Sequence, residues 1–100
     1  MRISEKEKII VLNTAKKIFG ENCKVYLFGS RVYDNKRGGD IDIYIETDKN
    51  VSSEDKIKFL TKLELAGIQR KVDLLVKTPF SAHKNIYNTA KNEGILLEKW

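Results

Sequence analysis

One cysteine, one histidine, one proline and one tryptophan occur in the 100 residues. The lone Cys23 excludes an internal disulfide and a cysteine-built zinc site, and reads as a small apolar residue near a strand start. The lone His83 cannot build a histidine-rich metal site, and just inside a helix start it reads as a solvated residue. No apolar run approaches the ~20 residues of a membrane span. The opening "MRISEKEKIIVLN" has neither a secretory apolar core nor a small-residue cleavage site, so a cytoplasmic protein with no membrane partner is expected. Repeats, low-complexity segments and linkers are also missing. An aromatic-rich basic stripe is missing too, so direct nucleic-acid binding is not expected.

What is present fits one soluble domain over residues 1–100, with a single modest core. Hydrophobic residues make up 41% and charged residues 33%, an ordinary globular balance. The net charge of +5 suits attraction to phosphate, on a nucleotide or a nucleic acid. The lysines in "SEKEK" and "SSEDK" alternate with acids, which is the pattern of a solvated helix face.

Ser4 to Glu7 spells a capping box, and a helix should run from there to about Phe19. Its apolar stripe is Ile9, Leu12, Ala15 and Phe19, widened by Val11 and Ile18, and Gly20 can close it in the left-handed conformation. "CKVYLF", 23–28, reads as a short buried strand that Gly29-Ser30 breaks, and "SRVYD" can form a helical turn. Residues 40–46 alternate: Ile41, Ile43 and Ile45 face one way, Asp40, Asp42, Tyr44 and Glu46 the other. Ser52-Ser53-Glu54-Asp55 reads as a second N-cap, and the helix after it carries Ile57, Phe59, Leu60, Leu63 and Ala66 and ends at Gly67. "KVDLLV", 71–76, is a third strand, the most buried-looking in the chain. After Pro79, Ser81 can cap a third helix to about Glu93, Gly94 stops it, and "ILLEKW" closes as a last strand. Helices and strands alternating in this way indicate an α/β layer fold.

The aspartates carry the chemistry. Residues i and i+2 of a strand share a face, and carboxylates at Asp40 and Asp42 can approach to about 5 Å, where their repulsion at an effective dielectric near 20 is on the order of 3 kcal/mol. The isoleucines of the opposite face offer no compensation. Two divalent cations would, with Mg2+ the natural oxygen-seeking choice. Asp73 lies within the third strand; if that strand pairs with 40–46, three carboxylates converge. Its plainer alternative is a salt bridge to Arg70 or Lys71. Gly29-Ser30, after a strand and before a turn, lets backbone N–H groups approach a phosphate, and Ser30 adds a hydroxyl. Arg31, Lys36 and Arg37 can neutralise a triphosphate or departing pyrophosphate, or stand in a solvated loop, the better reading for Lys36. Gly38-Gly39 lets that loop fold tightly back. A phosphate turn, an Asp-x-Asp and a third Asp are what phosphoryl-type transfer needs, because positioning and charge neutralisation do most of the work.

In these parts the chain resembles the nucleotidyltransferase superfamily related to DNA polymerase β, and more closely its minimal nucleotidyltransferases. The resemblance rests on "FGSR", nine residues between Gly29-Ser30 and Asp40-Ile41-Asp42, "GDIDIYI", and Asp73 on a later strand. It covers nearly the whole chain. The loop is one residue shorter than the commonest spacing, and Gly39 stands where a serine often precedes the first Asp. The resemblance implies the nucleotidyltransferase fold, a mixed sheet of about four strands with helices packed on it. It also implies transfer of a nucleoside monophosphate, AMP from ATP above all, to an acceptor hydroxyl with release of pyrophosphate. Asp40 and Asp42 would hold two Mg2+ ions. Asp73 would hold the catalytic one and help deprotonate the acceptor, while Gly29, Ser30 and Arg31 would hold the triphosphate, with Arg37 nearby. Minimal nucleotidyltransferases are often encoded beside HEPN-domain ribonuclease toxins, and some are antitoxins that AMPylate a toxin tyrosine. The implied partner is therefore a HEPN toxin, in a homo- or hetero-oligomer.

Two other readings stand beside the protein adenylyltransferase. One is an antitoxin that neutralises its toxin by contact alone. The other is a small-molecule nucleotidyltransferase of the aminoglycoside-modifying kind, which normally carries an additional helical domain. Tyr26, Tyr33, Tyr44 and Tyr87 read as packing or surface residues rather than acceptors, and Trp100 as a cover for an edge or a partner.

Overall fold

The computed structural model describes residues 4–28, 41–80, 87 and 94–97. Their elements follow the order α1 (Glu5–Phe19), β1 (Lys24–Phe28), β2 (Ile41–Glu46), α2 (Ser53–Leu65), β3 (Val72–Lys77) and β4 (Ile95–Leu97). The strands form one mixed sheet in the order β3-β2-β1-β4. β1 pairs antiparallel with β2 and β4, and β2 pairs parallel with β3. A parallel pair needs a crossover, and α2 supplies it. The turn proposed for 30–34 and the helix proposed for 81–93 lie outside the described residues, except Tyr87, whose backbone is helical. No described helix is long and apolar enough to cross a membrane.

Both helices begin as their sequences dictate. The Ser4 hydroxyl accepts from the Glu7 amide at 3.1 Å, and the Glu7 carboxylate accepts from the Ser4 amide at 3.0 Å. Ser52 and Asp55 repeat the exchange at 3.1 Å in each direction. Each box satisfies amides that a helix start otherwise leaves without partners. The end of α2 is equally defined. Gly67 has φ 110°, its amide donates to Glu64, and the Ile68 amide donates to Leu63. This is a Schellman closure, and its Leu63 and Ile68 side chains are both buried. α1 ends differently from expectation: Gly20 takes φ 106° and ψ 154°, an extended backbone open essentially to glycine alone, rather than the left-handed helical region.

The helices cover one face of the sheet. Val25, Leu27, Ile41, Ile43, Ile45, Val76 and Leu97 pack there against Val11, Leu12, Ala15, Phe19, Phe59 and Leu63. Phe19 and Phe59 join α1 to α2, with ring centroids 5.3 Å apart and tilted by 52°. The α1 stripe is centred on Val11, Leu12, Ala15 and Phe19, while Ile9 is exposed and Val11 is fully buried. Ile57 is likewise exposed, and Ala66 is an exposed cap residue instead of core. Two polar links tie the layers together. Thr47, buried after β2, donates from Oγ1 to the Phe19 carbonyl at 2.6 Å, satisfying an acceptor at the end of α1. Arg70, just before β3, donates to Glu7 at 2.7 Å. Burial would raise the Glu7 carboxyl, but the Ser4 amide and the Arg70 guanidinium outweigh it and hold the group below its usual range.

Candidate functional site

The opposite face of the sheet carries the even-numbered residues of β1 and β2. Across the strands, Phe28 pairs with Asp42 and Asp42 with Asp73; one row further along, Tyr26 pairs with Tyr44 and Tyr44 with Leu75. A row with two acids therefore lies beside a row of aromatic and apolar side chains. The register is held at both ends by backbone bonds outside the strands: Ile41 donates to the Lys71 carbonyl at 2.9 Å, and Thr47 to the Lys77 carbonyl at 3.0 Å.

Register partners on adjacent strands lie about 4.8 Å apart and project to one side. Asp42 and Asp73, distant in sequence, are thereby neighbours on one surface. Asp73 is not the buried carboxylate that its apolar surroundings suggest. β3 is an edge strand among the described residues, Val76 is the only buried residue of that strand, and the Asp73 side chain is 51% exposed. Its ion-pair partner is Lys71, with Nζ at 3.9 Å and 72% exposed, a long contact between solvated groups and worth little. Arg70 is taken by Glu7. The argument for Asp73 therefore rests on its register with Asp42, not on the penalty of burying it. Asp42 is half-buried and engaged within the fold.

β1 leaves the sheet at Phe28, directly opposite Asp42, and the chain returns at Ile41 next to it. Phe28 and Ile41, the described residues that flank positions 29–40, thus both lie beside Asp42. Gly29, Ser30, Arg31, Arg37 and Asp40 belong to positions 29–40 and lie outside the described residues. Among the described residues, no three His, Cys, Asp or Glu side chains gather as a metal-binding group. Two hard carboxylates facing one way suit a divalent cation that prefers oxygen ligands, and Asp42 and Asp73 fit such an ion.

The aromatic row is the feature that residue-by-residue reading did not reveal. Tyr44 is fully buried between Tyr26, at 5.6 Å between centroids, and Tyr87, stacked at 5.9 Å and 23°. Phe28 and Leu75 pack against this cluster. The Tyr44 hydroxyl donates to Glu46 Oε2 at 2.8 Å. Burial, with the Glu46 hydrogen bond and charge, pushes the Tyr44 phenol well above its usual value, so it remains a neutral donor. Tyr26, Tyr44 and Tyr87 are packing residues, as their apolar settings suggest. The signal available in the sequence was the tyrosine two residues beyond Asp42, on the same strand face. Cys23 is buried, and burial pushes its thiol up, which keeps it inert.

The fold is shared with known structures. The crystal structure of the toxin–antitoxin MntA-HepT is 19% identical, with 95% of this chain aligned to 72% of that one and a TM-score of 0.70. A toxin–antitoxin with AMP-PNP is 24% identical over 95% of this chain and 73% of that one, with a TM-score of 0.72. A structure from Shewanella oneidensis is 20% identical, covering 95% and 71%, with a TM-score of 0.67. No curated protein matches the chain. The family model for polymerase beta nucleotidyltransferases matches residues 7–99, and the chain belongs to that family.

Proposed function

We propose that this nucleotidyltransferase domain is an Mg2+-dependent protein adenylyltransferase. It moves AMP from ATP to a hydroxyl of a protein partner, a tyrosine of a HEPN ribonuclease toxin, and so acts as that toxin's antitoxin. The observation that carries the reading is the register of Asp42 with Asp73, on one face, at the point where β1 runs out toward Gly29-Ser30. Similarity in fold to a toxin–antitoxin and to one with AMP-PNP supports the biological setting and the nucleotide.

In this reading Asp40, Asp42 and Asp73 hold Mg2+, which when bound offsets triphosphate charge and acidifies the acceptor hydroxyl. Asp73, the more exposed of the described acids, faces the acceptor and takes up its proton as the acceptor oxygen attacks the α-phosphorus. The P–O bond to pyrophosphate breaks as the new one forms. Gly29 and Ser30 bind the triphosphate by backbone N–H groups and the hydroxyl, and Arg31 and Arg37 balance the charge on the departing pyrophosphate. The test is incubation with labelled ATP, Mg2+ and a cognate HEPN protein. Label should appear on the toxin with the native chain and not with Asp42→Ala. Absence of label with both overturns the reading.

Neutralisation by contact is the second reading. Leu65, Phe80 and Ile57 are exposed at 82%, 77% and 63%, apolar side chains that a protein partner would cover. Full neutralisation by the Asp40→Ala/Asp42→Ala protein would favour it.

A further inference from the structure

We propose that Tyr87 is a positioning residue for the acid pair. Through its stack on Tyr44 it ties the C-terminal part of the chain to the strand that carries Asp42, and so sets the affinity of the acids for a divalent cation. The inference rests on the reading of Asp42 and Asp73 as cation ligands.

The geometry gives three reasons. Tyr44 is two residues from Asp42 on the same strand face, so any shift of its ring is transmitted to the acid along one short, inextensible length of backbone. Its ring is confined on both sides, by Tyr26 at 5.6 Å and by Tyr87 at 5.9 Å in near-parallel stacking. Its hydroxyl is tethered to Glu46 at 2.8 Å, on the side away from Asp42, which keeps the phenol out of the acid row. Tyr26 and Tyr44 are register partners within the sheet, so their contact comes with the strand pairing. Among the described residues of this cluster, Tyr87 is the one that arrives from outside the sheet, and it is buried at 5% exposure. The tyrosine cluster is also separate from the larger core, so α1 and α2 on the other face do not hold Tyr44 in place. Without Tyr87, Tyr44 loses a stacked ring, and the stretch of β2 that presents Asp42 loses packing on this face, while the backbone register with β3 remains. Groups bonded directly to a metal ligand change metal affinity by about 10–100-fold when removed; Tyr87 acts one contact further back, through Tyr44, and its effect should be smaller.

The experiment is a titration of the full chain with Mn2+, free ion being read by electron paramagnetic resonance, beside a urea denaturation of each variant. The native chain should bind Mn2+, and Asp42→Asn should not. Tyr87→Ala should weaken binding several-fold, up to about tenfold, and Tyr87→Phe, which keeps the ring, should restore it. If Tyr87→Ala does not fold, Tyr87→Leu keeps the bulk without the flat stack and should also bind more weakly. A merely structural Tyr87 would lower the urea midpoint and leave the Mn2+ dissociation constant of the folded protein unchanged; that result overturns the proposal while leaving the acid-pair reading intact. Equal binding by the native chain and Asp42→Asn, or none by either, overturns the acid-pair reading and the proposal with it.

Discussion

The two faces of the sheet are built from alternate residues of the same strands, yet they do different work. Ile41, Ile43 and Ile45 lie at or below 1% exposure beneath the helices, in an apolar layer of aliphatic side chains with Phe19 and Phe59. Asp42, Tyr44 and Glu46 face the other way, where acids, phenols and a tyrosine from near the chain's end meet. The hydrophobic effect holds the first face, and its side chains are interchangeable with others of like volume. On the second, position and chemistry matter residue by residue. A one-residue slip of β2 would exchange the faces, which is why the parity of the strand is so strongly specified.

Substitutions one residue apart should separate these roles. Ile43→Ala removes a fully buried side chain and should cost about 2–5 kcal/mol in a denaturant titration. Asp42→Asn should do the reverse. Nucleotidyl transfer in the labelled-ATP assay should fall by at least about 100-fold, while the urea midpoint stays close to native. If Asp42→Asn unfolds the protein and retains turnover in its folded fraction, the contrast between faces is wrong. Ser52→Ala should cost about 1 kcal/mol, read from the thermal midpoint, because it leaves the Asp55 amide without its acceptor at an exposed helix start.

The smallest effect concerns pH. The folded carboxyl of Glu7 lies below its ordinary 4.5, so its contribution is full above that value and fades as pH falls through the lower, folded value. Arg70→Gln should flatten this acid limb of the stability profile and lower stability at neutral pH by up to about 1 kcal/mol, since the pair is only partly shielded from water. It should leave Mn2+ binding untouched, because the pair joins α1 to the approach of β3 on the helical side.

Where the local sequence is decisive, it was readable. Both helix starts follow from a serine and an acid three residues on, and the closure at Gly67 from a glycine flanked by Leu63 and Ile68. The alternation of 40–46 predicts which side chains of β2 meet the core, and the Asp-x-Asp with Gly-Ser is visible without any fold. Burial was less legible. Ile9 and Ile57 are apolar residues of the right helices, yet they point to solvent, because which arc of a helix is covered depends on how it is laid on the sheet. Asp73 looked buried because its neighbours are aliphatic, but an edge strand leaves one flank open whatever its composition.

The sequence by itself determined the elements and the chemical types at their positions, because caps, turns and strand parity depend on residues a few places apart. Only the tertiary structure decided that β3 lies beside β2 in the register that sets Asp73 next to Asp42, and that Tyr87 rests on Tyr44. These contacts join distant parts of the chain. They are selected by the crossover through α2 and by how the layers pack, and no local propensity encodes them.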